Sequence, residues 1–147
     1  MLGLARLHAD EALDAMLARI QNELFDLGAE LATPDTGKKL EFEPLKIVES
    51  QVERLEAEID QMNARLSPLK SFVLPAGSPA ATHLHLARTV ARRAERLMIA
   101  LSAKPGEPVA DTAIRYVNRL SDHLFVAARI ANDEGRADVL WVPGGSR

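Results

Sequence analysis

The sequence predicts an all-α fold, an antiparallel bundle of four long helices. Three observations carry that prediction. Apolar residues recur at alternating spacings of four and three over most of the chain, the mark of helices that each bury one stripe. Aromatics are scarce, at one Trp, one Tyr and four Phe, and no stretch alternates apolar and polar residues at period two for long, so strands have little to be built from. Proline-containing clusters divide the periodic stretches from one another. At 147 residues the chain reads as one domain, long enough to bury roughly 68–70% of its unfolded surface without a metal or disulfide.

The first helix is expected over 8–32, with Leu13, Leu17, Ile20, Leu24, Leu27 and Leu31 as its seam. Gly28 lies inside it, where it costs about 1 kcal/mol against Ala unless a neighbouring helix comes close; close packing is the expectation. Thr33-Pro34-Asp35-Thr36-Gly37 ends the helix, and the link 38–43 is expected to be exposed and mobile. Pro44 suits a first turn, and Val48, Val52, Leu55, Ile59, Met62 and Leu66 repeat the seam as far as Ser67-Pro68. Matched seams and a short connection imply that these two helices pack antiparallel. Glu49, Glu53, Glu56, Glu58 and Asp60 give the second an acidic face, expected to be solvated.

Residues 69–80 include Phe72, Val73 and Leu74, yet Pro75, Gly77 and Pro79 forbid a regular element. Such an apolar loop either plugs the bundle end or lines a pocket. Ser78 caps the third helix, with Pro79 in its first turn, and Lys104-Pro105-Gly106 closes it. Within it, residues 85–96 read His-Leu-Ala-Arg-Thr-Val-Ala-Arg-Arg-Ala-Glu-Arg. Glu95, Arg88, Arg92, His85 and Arg96 share an arc of roughly 100°, and Leu86, Leu97, Val90 and Leu101 lie opposite, as the expected core face. Guanidinium forks on adjacent turns suit the oxygens of a polyphosphate. A fourth helix is expected from near Pro108 to about Glu134, stopped by Gly135, with Leu124, Val117, Ala128, Ser121, Ile114 and Phe125 buried. Asn118, Arg129, Asp122 and Arg115 border that arc and need partners. Arg93 is expected to meet Asp122 or Asp26. The tail from Asp138 carries the single Trp and is expected to dock on the bundle.

Several chemistries are excluded or unsupported. A formal charge of -3 argues against general nucleic-acid binding, which needs a basic surface. The absence of cysteine removes thiolate zinc sites and cysteine nucleophiles and suits a cytoplasmic location. No apolar run is long enough to span a bilayer, and the first residues lack a secretory pattern. Di-iron carboxylate bundles need Glu-x-x-His pairs, which are missing. There is no glycine-rich phosphate loop and no nucleophile elbow. His85, beside arginines, reads most simply as a hydrogen-bonded structural group. What survives is a cationic stripe near Asn118 and an apolar Phe72 loop, a combination able to hold an anionic ligand with an apolar or planar partner beside it.

Four stretches resemble the PduO-type ATP:cob(I)alamin adenosyltransferases, or corrinoid adenosyltransferases, over nearly the whole chain. They are Arg19-Ile-Gln-Asn-Glu-Leu-Phe-Asp-Leu-Gly-Ala-Glu-Leu-Ala-Thr33, Phe72-Val-Leu-Pro-Ala-Gly77, the arginine block 85–96, and Tyr116-Val-Asn-Arg-Leu-Ser-Asp-His-Leu-Phe125. The resemblance implies a homotrimer of five-helix bundles, with ATP, Mg²⁺ and a corrinoid bound at subunit interfaces. In such enzymes the cob(I)alamin cobalt attacks the 5′ carbon of ATP, giving adenosylcobalamin and triphosphate. No general base is required, because the metal of the substrate is itself the nucleophile; alignment and charge stabilisation remain for the protein. By this resemblance Arg92 contacts phosphate, Glu95 accompanies it, Asn118 belongs to the nucleotide site, and Arg88 makes a salt bridge across subunits. Phe72 lines the corrinoid pocket and displaces the lower axial ligand of cobalt. A cob(II)alamin reductase and an adenosylcobalamin-dependent enzyme are the implied partners, with neither nucleic acid nor membrane involved.

The family also carries a Thr-Gly-Asp-x-Gly phosphate-gripping segment and an Asp-Glu-Leu-Asn piece, both ahead of the region where residues 1–147 begin. Neither occurs in these residues, and the family aspartate expected opposite Arg88 is lacking with them. The expectation is a single adenosyltransferase-like domain without that segment. The alternatives from other classes are a non-catalytic corrinoid-binding or delivery module and a structural helical bundle.

Overall fold

The computed structural model describes residues 1–34, 43–145 and 147. They form five helices, α1 (Leu2–Arg6), α2 (Glu11–Ala32), α3 (Glu49–Asn63), α4 (Pro79–Ser102) and α5 (Asp111–Ala131), and among the described residues no regular strand. The four long helices match the expectation, with shifted ends. Asp10 caps α2 by accepting from the Leu13 N–H at 2.8 Å, so α2 starts at Glu11 and the residues before it form a separate short helix. Helix α3 starts later than Pro44, where the Gln51 side chain accepts from the Val48 N–H at 2.9 Å. Ser78 caps α4 as expected, and Gly135, at φ +81°, turns the chain after α5. Residues 35–42, which include the expected turn at Asp35-Thr36-Gly37 and most of the link 38–43, lie outside the described residues.

Polar pairs give the helix directions. Arg19 meets Glu58 and Arg54 meets Glu23, each at 2.7 Å, so α2 and α3 are antiparallel. Arg115 pairs with Glu49 and Arg65 with Glu134, so α3 and α5 run the same way; Asn118 with Glu95 and Ser78 with Ala131 set α4 against α5. Helix α5 packs closely along both α3 and α4, so the close backbone neighbour of α3 is α5 and not α2. That is why α5 buries more than the expected arc: Tyr116, Leu120, His123 and Ala127 join Leu124, Val117, Ser121 and Ala128, while Ile114 and Phe125 are half-buried. The seams of α2 and α3 fill the core through Leu13, Leu17, Ile20, Leu27, Val52, Leu55 and Met62.

Three expectations fail on packing. Among the described residues nothing lies where a Gly28 side chain would go, so no described neighbour accounts for it. On α4 the expected core face is turned outward: Leu86, Val90 and Leu97 are exposed. The buried face is instead Ala80, Ala81, Leu84, Ala87 and Met98, whose small residues allow α5 to approach closely, together with His85 and Glu95. Arg93 follows from that rotation. It is exposed and has no carboxylate partner among the described residues.

The acidic face of α3 is only partly solvated, because Glu49, Glu56 and Glu58 face arginines. Burial alone would raise the Glu58 carboxyl, but hydrogen bonds from His123 and Arg19 outweigh it and hold the group below the ordinary carboxylate range. Nearby, buried Tyr116 donates to Glu23 at 2.7 Å, and burial with that bond pushes its hydroxyl far up, so it stays a donor.

The loop after α3 and the tail after α5 are fastened at one place. Asn132, 1% exposed, accepts from the Ser78 N–H at 2.9 Å and donates to the Ala76 carbonyl at 3.1 Å. Arg129 donates to Asp138 at 2.8 Å and to the Ser67 carbonyl at 3.0 Å. Gly77 sits at φ +108°, and a Cβ there would lie 2.2 Å from Asn132 Oδ1. Gly77→Ala therefore combines left-handed strain with a collision and should destabilise the fold by about 1–3 kcal/mol. Equilibrium denaturation checks this; an unchanged midpoint would show that the anchor can shift freely.

Candidate functional site

The site begins with a buried carboxylate. Glu95 on α4 is 5% exposed, and an isolated charge so placed would be costly. It is satisfied from two sides: Arg92 donates to Oε2 at 2.5 Å, and Asn118 on α5 donates to Oε1 at 2.8 Å. Three residues singled out in the sequence, Arg92, Glu95 and Asn118, thus meet in one hydrogen-bonded node. The pairing uses a single terminal nitrogen of the half-exposed Arg92, so the rest of its donor fork is open to an anion.

One turn before Arg92, Arg88 follows the same helix face into a second region. Its guanidinium carbon lies 5.5 Å over the Phe125 ring, a cation–π distance, and it makes no ion pair among the described residues. The expected cross-subunit bridge has no counterpart within the single chain. Arg88 and Phe125 line a cavity of about 660 Å³ with Lys70, Phe72, Trp141 and Pro143. The cavity joins an aromatic wall to cationic groups, and it neighbours the Glu95 node along α4.

Phe72 is 74% exposed, and its ring stands 5.8 Å from that of Trp141. Backbone pairing holds the two together. Trp141 N–H donates to the Phe72 carbonyl at 2.8 Å, Leu74 N–H to Val139 at 2.8 Å, and the Ser71 hydroxyl to the Trp141 carbonyl at 2.6 Å. The tail docks on the Phe72 loop, therefore, and the loop lines a cavity instead of plugging the bundle. Sequence reasoning expected Phe125 in the core and Trp141 docked on the bundle, and placed neither of them, nor Lys70, in a site. Their signal was faint: Trp141 is the only tryptophan, and Phe125 ends the Tyr116 stretch.

His85 sits behind Phe125, edge-on at 6.2 Å and 5% exposed, with Nε2 buried and lacking a hydrogen-bond partner. It is not the hydrogen-bonded structural group expected. Among the described residues no group of three His, Asp or Glu side chains could hold a metal ion, and no helix is long and apolar enough to cross a membrane.

These features fit what the chain is similar to. The family described as Cobalamin adenosyltransferase matches residues 1–131. A corrinoid adenosyltransferase of Mycobacterium tuberculosis is 50% identical over 141 residues, covering 95% of this chain and 71% of that protein. One from Bacillus subtilis is 46% identical over 122 residues, covering 83% and 60%. Among solved structures, a variant PduO-type ATP:corrinoid adenosyltransferase from Lactobacillus reuteri, complexed with cobalamin and ATP, superposes with a TM-score of 0.79 at 35% identity, covering 95% of this chain and 75% of that one. Another variant of it, complexed with ATP, gives 0.83 at 34% identity, covering 96% and 79%. By sequence and by fold, the chain belongs to the cobalamin adenosyltransferase family.

Proposed function

We propose that the Glu95 node binds the triphosphate of ATP and that the cavity walled by Phe72, Trp141 and Phe125 receives the corrinoid. The reaction is the ATP-dependent adenosylation of a corrinoid. The observation that carries the assignment is the shared carboxylate of Glu95, which fixes Arg92 and Asn118 one turn from the cavity wall at Arg88. In that arrangement the two substrates lie side by side along α4.

The chemistry asks little of acid–base groups. The cobalt electron pair of the reduced corrinoid forms a bond to C5′ as the C5′–O bond breaks, and that bond's electrons leave with the triphosphate. Arg92, held in place before the substrate arrives, meets the charge that develops there, and such preorganised donors lower the barrier most. Phe72 supports the second role by its exposure: a ring open to the cavity can press on the lower face of a corrinoid and replace its axial ligand. Among the described residues no group of three acidic or histidine side chains forms a cage for Mg²⁺, so the ion is proposed as the counter-ion of the triphosphate, and no step is assigned to it on the protein.

A homotrimer is the proposed assembly. Its support is the apolar face of α4, where Leu86, Val90 and Leu97 are exposed in the single chain beside Arg93 and Arg96. A cob(II)alamin reductase upstream and an adenosylcobalamin-dependent enzyme downstream are the proposed partners in a reducing cytoplasm, since the reaction consumes one corrinoid form and releases the other.

Arg92→Ala should lower turnover at least about a hundredfold, the usual scale for losing a charge-stabilising donor, while helical circular dichroism holds. Loss of the helical signal would instead make Arg92 structural. Phe72→Ala should impair use of cob(II)alamin more than of pre-reduced cob(I)alamin, as followed by absorbance; equal losses would remove its assigned role. Leu97→Asp should shift the mass seen by light scattering from trimer towards monomer, and a wild-type monomer would refute the assembly.

A further inference from the structure

His85 is a buried polar group beside the cavity wall to which the proposed function gives no part. Its position is specific. The Phe125 ring is held by two residues of α4: the Arg88 guanidinium lies 5.5 Å over it, and the His85 ring meets it edge-on at 6.2 Å and 61°. His85 and Arg88 are three residues apart, so they share a helix face and reach the same partner from adjacent turns. Phe125 and Arg88 both line the cavity, whereas His85 does not. It is the layer behind the wall.

The surroundings accept only an uncharged ring. Nε2 is buried without a hydrogen-bond partner, so a proton added there would create a donor with no acceptor. The charged groups facing His85 are Arg88 on its own helix and Asp138 on the tail. From α5 it meets Phe125, and the Arg129 of that helix is engaged with Asp138. The Asp138 carboxylate is already committed, at 2.8 Å from Arg129 Nε and 3.3 Å from Asn132 Nδ2, and cannot turn to an imidazolium without releasing the tail. A charged His85 would face Arg88 as a second cation.

We propose that His85 is a positioning residue for corrinoid binding: as a neutral imidazole it seats Phe125 under Arg88, and protonation unseats that wall and weakens the corrinoid. Burial, with Arg88 adding to it and Asp138 opposing, pushes His85 below its ordinary value of 6.5, which agrees with the geometry. A lowered value means that the neutral, binding-competent form holds at and above that pH and is lost as the pH falls through the lowered value. The inference rests on the cavity being the corrinoid site.

The test uses cob(II)inamide, which has no lower base to titrate, at saturating ATP. Binding is read by quenching of Trp141, the only tryptophan. From pH 8 down to 6.5 the wild-type affinity should hold, and below that it should fall, steepening towards tenfold per pH unit once the pH is under the lowered His85 value. His85→Gln should bind less tightly at pH 8 but show a flattened profile, with the KM for corrinoid raised and that for ATP unchanged. Phe125→Leu should flatten the profile as well, because the ring through which His85 acts is gone, and this holds the test open if His85→Gln does not fold. A flat wild-type profile, or an undiminished slope in either variant, would overturn the inference while leaving the cavity assignment intact. Absence of quenching in the wild type at every pH would overturn the cavity assignment and the inference with it.

Discussion

The Asp138 carboxylate, 2% exposed, holds the functional end of this molecule together. It lies in the tail after α5, yet its partners are Arg129 and Asn132 at the end of that helix. Those two residues in turn bond the backbone at Ser67, Ala76 and Ser78. One buried anion therefore ties the start of the Phe72 loop, its exit into α4 and the tail that bears Trp141. Buried pairs of this kind are costly to form and more costly to break, because a removed partner leaves a charge without solvent. The arrangement gives geometry more than net stability.

Glu95 follows the same logic with a different outcome. The Asp138 cluster is closed, its donors and acceptors matched among themselves, and it serves to place backbone. Glu95 is buried too, but one of its donors, Arg92, is half-exposed with nitrogens unengaged. A closed cluster positions, whereas an open one can bind. These two clusters are joined through α4 and α5, with Arg88 and Phe125 between them.

The helices were legible because a stripe at spacings of four and three has few other uses, and because Ser78 and Gly135 mark ends by local chemistry that needs no tertiary knowledge. Arg92, Glu95 and Asn118 came from the resemblance, and the spacing of the arginine block supported it. What the residues alone misassigned was the inward face of α4. Leucines at Leu86 and Leu97 outweigh alanines on any hydrophobic count, yet the alanines are inside, because close helix approach rewards small side chains and no helical wheel contains the partner helix. Arg93 was misplaced by the same rotation. The places of Phe125, Trp141 and Asp138 around the cavity were illegible for another reason: they come from contacts between α5, the tail and a loop more than fifty residues earlier, and no local pattern encodes such a meeting.

Helix α4 presents three faces, one against α5 through Ala87 and Met98, one to the cavity and node through Arg88, Arg92 and Glu95, and one apolar and exposed at Leu86, Val90 and Leu97. Outside those faces of the helix only a few positions, among them Thr89, Arg93 and Arg96, stand exposed. Its twenty-four residues leave little room for sequence drift, and a change made to adjust one face, by rotating or shifting the helix, is transmitted to the other two. Divergence in substrate preference should then accumulate in the Phe72 loop and the tail, whose side chains can vary while their backbones stay tied.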